Sequence, residues 1–258
     1  MNKSDVLSYN IGNNITAFTT TRNGGGCSID NYSSMNINPF CGDTIEHIST
    51  NKKLLCDLLN IKQESLIMPH QIHGTDITII DNTSNYSKQF EADALITNIP
   101  DTCIGVSTAD CVPILIYDKK NKATAAIHAG WRGTLKHIVE LTIDKMHSTY
   151  NTNGADCNAV IGPCIGVDAF EIGNEVYESF YNAGFDMTKI AIKKEKYHID
   201  LKECNKLQLM NKGIKQENIH VSNVCTYTEY NKYFSARRLG INSGRLFTGI
   251  IIRSETTF

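Results

Sequence analysis

A layered α+β fold is what this sequence predicts, on three observations. Short β-branched apolar runs outnumber amphipathic helical stretches. The two kinds of segment do not alternate in the strict strand–helix–strand order of a doubly wound parallel sheet. No repeat, low-complexity tract or Pro/Ser-rich linker offers a cut point, so residues 1–258 read as one domain.

The elements follow in order. Ile15–Thr21 is β-branched and follows a Gly-Asn-Asn turn, which makes it a strand. From Thr44 to Asn60, Ile45, Ile48, Leu54, Leu55, Leu58 and Leu59 recur at helical spacing, with Thr44 placed to cap the helix. Leu66–Met68 and Ile77–Ile80 are short strands flanking the Pro69–Thr75 segment. The densest apolar signal lies in the middle: Ala94–Thr97, Ile104–Ser107, Pro113–Tyr117 and Ala123–His128 read as buried strands. Asp118–Asn121 is the hairpin turn between the last two. Thr134–Tyr150 is an amphipathic helix, with Leu135, Ile138, Val139, Leu141, Thr142 and Met146 near one face. Ala159–Gly162 is a strand, Asn174–Ala183 and Asp200–Lys212 are helices, and Ile219–Ser222 and Arg245–Ile252 are strands.

Composition narrows the function classes. A net charge of −2 with Lys and Arg spread along the chain gives no basic stripe, which argues against a nucleic-acid partner. No apolar stretch approaches the 18 or so residues of a membrane span, and Met1 to Asn14 carries no apolar core of a signal peptide. Nine cysteines, an odd number without a secretory signal, point to reduced thiols in the cytoplasm.

Three clusters depart from what packing requires. They are His70-Gln71-Ile72-His73-Gly74, Thr108-Ala109-Asp110-Cys111-Val112-Pro113 and His128-Ala129-Gly130-Trp131-Arg132-Gly133. Each puts a polar or metal-binding side chain at a strand end, where loops present functional groups. Zinc takes imidazole nitrogen and thiolate sulfur, and a catalytic zinc keeps three protein ligands and one open position. His73, Cys111 and His128 would supply such a set, although the long-range spacing is weaker than a CxxC pair. Taken singly, a histidine beside a glycine is more often a hydrogen-bonded loop residue, and a cysteine more often a buried thiol.

The strings Gln71-Ile72-His73-Gly74, Ala92-Asp93-Ala94-Leu95-Ile96-Thr97, Thr108-Ala109-Asp110-Cys111-Val112-Pro113 and His128-Ala129-Gly130-Trp131-Arg132-Gly133 closely resemble the YfiH family (DUF152). Its members have been labelled "laccase domain" or polyphenol oxidase proteins, and it includes the FAMIN-like purine nucleoside phosphorylases. Further matches at Thr21-Arg22-Asn23-Gly24-Gly25, Gly42-Asp43, Ile161-Gly162-Pro163-Cys164-Ile165-Gly166 and Ser235-Ala236-Arg237-Arg238 carry the resemblance along nearly the whole chain, in order. It implies a four-layer α/β/β/α sandwich and a zinc held by His73, Cys111 and His128. The implied activity is phosphorolysis of adenosine, inosine, guanosine or 5′-methylthioadenosine to free base and sugar 1-phosphate, with adenosine deamination as a second activity. The stretch Val167-Asp168-Ala169-Phe170-Glu171 departs from relatives that carry a Cys and a Tyr there.

Phosphorolysis needs an anion held beside the anomeric carbon. Arg22, in the glycine-rich loop, and Arg132, at a helix start, are the phosphate-binding candidates, with surface salt bridges as the plainer alternative for each. Arg237 and Arg238 follow behind them. Asp110 either orients a histidine or handles a proton, or else serves as a turn carboxylate. The HxE…PCxxC signature of the cytidine deaminases is absent. Eight histidines with no HxH pair are too few for a multicopper cluster, which takes about ten. A single copper in the His/Cys/His set remains chemically open, as does a cysteine hydrolase using Cys111 and His128. Small nucleosides and phosphate are the expected partners, and the expected state is a monomer or weak homodimer.

Overall fold

The computed structural model describes residues 6–82, 86 and 89–254; residues 1–5 of the polar N-terminal stretch lie outside the described residues. The chain runs through β1 (Val6–Tyr9), β2 (Ile15–Thr20), helix α1 (Ile45–Leu59), β3 (Leu66–Ile67), β4 (Ile77–Ile79) and β5 (Ala94–Thr97). Then come β6 (Cys103–Thr108), β7 (Val112–Asp118), β8 (Ala123–Ala129), α2 (Trp131–Leu135), α3 (Ile138–Tyr150) and β9 (Cys157–Ile161). The remainder is β10 (Glu171–Ile172), α4 (Asn174–Asn182), α5 (Met187–Ile190), β11 (Ala191–Lys193), β12 (Tyr197–Ile199), α6 (Leu201–Asn211), β13 (Ile219–Val221), α7 (Ala236–Leu239) and β14 (Leu246–Ile252).

The strands form two large sheets, ordered β1-β2-β14-β6-β3 and β13-β9-β7-β8-β5-β4, and a small one, β10-β12-β11. Alternation along the strands sorts side chains into layers. Ala17, Ile104, Val106 and Ile250 of the first sheet meet Leu95, Leu115, Ala126 and Val160 of the second in one apolar layer. The opposite parity of the second sheet, including Ile114, Ile116, Ala125, Ile127, Ala159 and Ile161, packs on Ile138, Val139, Ile143 and Met146 of α3 and Leu201, Cys204 and Leu209 of α6. The outer face of the first sheet, through Phe18, Cys103, Phe247 and Ile251, takes Leu55, Cys56 and Leu59 of α1. The result is the α/β/β/α sandwich. Each fully buried Leu or Ile in the inner layer contributes roughly 1.5–3 kcal/mol.

Local chemistry sets the boundaries. The His47 N–H donates to Thr44 Oγ1 at 3.4 Å, capping α1, and Asn60 ends it in the left-handed region. In the β7–β8 hairpin, Asp118 Oδ1 accepts from the N–H groups of Lys120 and Asn121. The expected helix over Thr134–Tyr150 is instead two helices, broken at His137, whose φ is +59°. At the break the Thr134 carbonyl, which a continuous helix would have offered to residue 138, accepts from the His137 N–H at 3.0 Å and from Gln208 Nε2 of α6 at 2.9 Å. Strands β1 and β10–β12 and helices α5 and α7 are too short to show a period and were not anticipated. No helix among the described residues is long and apolar enough to cross a membrane.

Gly105 of β6 lies under the Phe247 ring of β14, and a Cβ there would collide with the ring and with the Thr248 carbonyl. Gly105→Ala should therefore destabilise the fold by about 1–3 kcal/mol, read as a lower urea midpoint with an unchanged slope.

Candidate metal centre

Parity explains why a metal-binding set forms at one end of the inner layer. His128 shares its face of β8 with Ala126, and Asp93, just before β5, shares its face with Leu95; both Ala126 and Leu95 belong to the inter-sheet layer. The β5–β8 register pairs Ala94 with Ile127, so Asp93 and His128 stand opposite each other. The β6–β7 loop brings Cys111 to the same end. Parallel pairing of β3 with β6 carries the following loop, with His73, alongside.

Two side chains fix that loop. Gln71 pairs its amide with the main chain of Ser107 in both directions at 2.7 Å, extending the β6 edge by a side chain. Asp93, fully buried, accepts from the His73 N–H at 3.0 Å, the Gly74 N–H at 2.6 Å and His128 Nδ1 at 2.7 Å. One carboxylate thus orients the His128 ring and fixes the backbone path of His73. With Nδ1 of His128 committed to Asp93, Nε2 faces Cys111. His73 has φ +58°, a conformation this network holds in place.

The donor atoms of His73, Cys111 and His128 lie within 4.8 Å of one another, and Cys111 Sγ is 3.9 Å from His73 Nε2. Tetrahedral zinc would bring such donors to roughly 3.3–3.6 Å, a small side-chain adjustment. Gly130 keeps the space open: a Cβ there would stand 3.1 Å from His73 Cδ2 and 3.2 Å from Cys111 Sγ. Among the described residues no fourth His, Cys, Asp or Glu joins the group, so a metal held here retains an open position. The three residues fit a metal ion in number, chemistry and spacing.

The electrostatics suit a thiolate. Burial acts to raise the Cys111 thiol, but the charge of His128 and hydrogen bonds from both histidines bring it down to about 6. Burial acts to lower His128, yet the Cys111 and Asp93 charges and hydrogen bonds lift it to about 9. Burial also works against ionisation of Asp93, but the bond and charge of His128 and the two backbone N–H donors hold its carboxyl below the usual value.

A cavity of about 880 Å³ opens over the three donors. Phe40, Trp131 and Phe170 give it aromatic walls, and Arg237 and Arg245 bring positive charge. Arg22 is not among its lining residues. Its guanidinium donates to the Ser33 and Tyr230 carbonyls at 2.8 and 2.9 Å, tying the loop after β2 to the segment before α7. Arg132 also lies outside the lining, with its guanidinium over the Trp131 ring at 4.3 Å. Asp110 does not orient a histidine: its carboxylate accepts from Thr226 Oγ1 and the Arg237 N–H, both at 2.7 Å. The residue that sequence reasoning passed over is Asp93. An acid between Ala92 and Ala94, at the entrance to a buried strand, was the signal for it.

Two outcomes follow. Asp93→Asn should weaken metal binding by about 10–100-fold, measured by competition with a chromogenic chelator. Because the metal-free protein carries a Cys111 thiolate and a protonated His128 between about pH 6 and 9, metal loading at pH 7.5 should release about one proton. That number should rise below pH 6 and vanish above pH 9, read by calorimetry in buffers of different ionisation enthalpy.

Comparison with known proteins places the chain. Residues 16–253 match the family model described as "Multi-copper polyphenol oxidoreductase laccase". A purine nucleoside phosphorylase of Bacteroides thetaiotaomicron is 46% identical, over 93% of this chain and 92% of that protein. Adenosine deaminase RL5, from an unknown prokaryotic organism, is 37% identical over 92% of this chain and 93% of its own. The crystal structure of Bacillus licheniformis YfiH superposes with a TM-score of 0.91 at 29% identity, covering 96% of this chain and 97% of that one. A Neisseria meningitidis structure assigned to DUF152 gives 0.85 at 28% identity, covering 97% and 100%. With the sandwich, the metal-binding set and the match over nearly its full length in agreement, the chain belongs to the YfiH (DUF152) family, whose model carries the laccase description.

Proposed function

We propose that this chain is a zinc-dependent purine nucleoside phosphorylase. The observation that carries the reading is the open His73/Cys111/His128 donor set beneath a cationic, aromatic-walled cavity, in a chain 46% identical to a purine nucleoside phosphorylase. In the reaction the bond between C1′ and the purine nitrogen breaks, and a phosphate oxygen forms the new bond to C1′. The purine leaves with the electron pair and takes up a proton, giving free base and sugar 1-phosphate.

The residues divide that work. His73, Cys111 and His128 would hold the zinc. The chemistry zinc supplies at such a site is Lewis-acid polarisation of a phosphate or substrate oxygen. Arg237 lies on the cavity wall with its guanidinium 3.4 and 3.5 Å from the Glu171 carbonyl, long contacts that a phosphate would replace with charge-assisted bonds. Phosphate binding is assigned to it ahead of Arg22 and Arg132, which are engaged outside the lining. Phe40, Trp131 and Phe170 offer apolar faces for a purine. The nine free cysteines suit a cytoplasmic setting, where a thiolate ligand stays reduced.

The similarity to adenosine deaminase RL5 favours adenosine deamination as a second activity of the same site. Laccase chemistry needs several coppers, whereas among the described residues the His73/Cys111/His128 group stands alone. A cysteine hydrolase would use the same Cys111–His128 pair, and metal content separates the two: sulfur bound to zinc is not free to attack.

Zinc-loaded protein should release hypoxanthine from inosine only when phosphate is present, with ribose 1-phosphate formed in equal amount. Equal release in phosphate-free buffer would identify a hydrolase. Cys111→Ser should lose the metal and at least about 100-fold in kcat while the metal-free fold changes by less than about 1 kcal/mol. Collapse of the fold would mark the metal as a structural staple instead.

A further inference from the structure

We propose that Asp110 is a positioning residue that fixes the anion-binding guanidinium of Arg237 relative to the metal ligand Cys111. The inference rests on the phosphate-binding role given to Arg237 above. Asp110 is the residue before Cys111, and its two carboxylate oxygens are divided between two other segments. Oδ1 accepts from the buried Thr226 hydroxyl at 2.7 Å. Oδ2 accepts from the backbone N–H of Arg237 at 2.7 Å, in the first turn of α7. The Asp110 carbonyl in turn accepts from the Ile165 N–H at 3.0 Å. One residue therefore joins the ligand loop to the segments carrying Ile165, Thr226 and Arg237.

The backbone of Asp110 has φ +84°. A non-glycine residue is held there only where its surroundings determine it, and aspartate tolerates that region better than most. The arrangement makes sense if the distance between the two ends matters. The segment that carries Arg237 is also held by the small cluster of Ala109, Tyr233, Phe234 and Leu246 and by Arg22, which donates to the Tyr230 carbonyl. The guanidinium makes only long contacts of its own, to the Glu171 carbonyl at 3.4 and 3.5 Å and over the Phe170 ring at 5.5 Å, so the backbone anchor sets the point from which it reaches into the cavity. That backbone is pinned one residue away from the metal-binding sulfur.

Geometry and charge predict different things here. An asparagine can turn its oxygen to the Arg237 N–H and its amide to the Thr226 oxygen, keeping both links without the charge. An alanine keeps neither. The test is the affinity for inorganic phosphate, measured by calorimetry on zinc-loaded protein without nucleoside. Zinc content and thermal midpoint are followed in parallel. Asp110→Ala should weaken phosphate binding by about tenfold or more, and Thr226→Val should weaken it by a smaller factor. Asp110→Asn should stay within about twofold of wild type, with zinc stoichiometric in all. Thr226→Val carries the test if the alanine variant fails to fold.

The proposal is overturned if phosphate affinity is unchanged in Asp110→Ala or Thr226→Val. It is also overturned if Asp110→Asn falls as far as alanine, if zinc is lost in step with phosphate, or if the wild-type protein binds no phosphate. Turnover of inosine separates the two readings. Phosphate-dependent release with no effect of Asp110→Ala sinks only the positioning role. Release that ignores phosphate sinks phosphorolysis itself.

Discussion

The buried carboxylate of Asp93 is the constraint on which the site depends. An ionised group at zero exposure is tolerable only when its oxygens are satisfied, and here the partners are the two segments that carry the histidines of the donor set. The price of burying that charge is met by imposing one orientation on His128 and one path on the His73 loop. Cys111 then completes a donor set whose thiolate is favoured by the same imidazoles. Remove the carboxylate and the histidines lose their common reference.

The sandwich supplies the rest. Its inner layer ends near the start of β7 and the end of β8, where Cys111 and His128 line the cavity. The long loop between β2 and α1 closes one side of that cavity with Phe40, Cys41 and Gly42. It is held rigid by Asn51 of α1, whose buried amide accepts from the Cys27 N–H and donates to Ser28, Ser34 and Asn36. Arg22 anchors the base of the same loop to Tyr230, which is why a cation in a glycine-rich turn serves the scaffold here and not the cavity lining.

Much of this was legible in the chain. The four central strands are long, apolar and bounded by turns, so their positions follow from pattern alone, and the ordered motifs brought out His73, Cys111 and His128 together. What was hidden was relational. The break at His137 is met by Gln208, a residue some seventy positions later on another helix. The two-way clasp of Gln71 on Ser107 and the division of Asp110 between Thr226 and Arg237 depend on which loops the topology makes neighbours. Neither leaves a periodic trace. Phosphate candidates chosen by proximity to glycine or a helix start fell outside the cavity lining for the same reason, whereas Arg237, on a four-residue helix with no period to show, lies on it.

The proposed metal site is open, with one sulfur and two imidazole ligands. X-ray absorption on protein purified with its native metal tests it most directly. A zinc edge is expected, with one sulfur at about 2.3 Å and three lighter atoms at about 2.0–2.1 Å, two of them showing the outer-shell pattern of imidazole. The third should change when phosphate is added. A copper edge, a shell without sulfur, or four protein ligands insensitive to phosphate would contradict it.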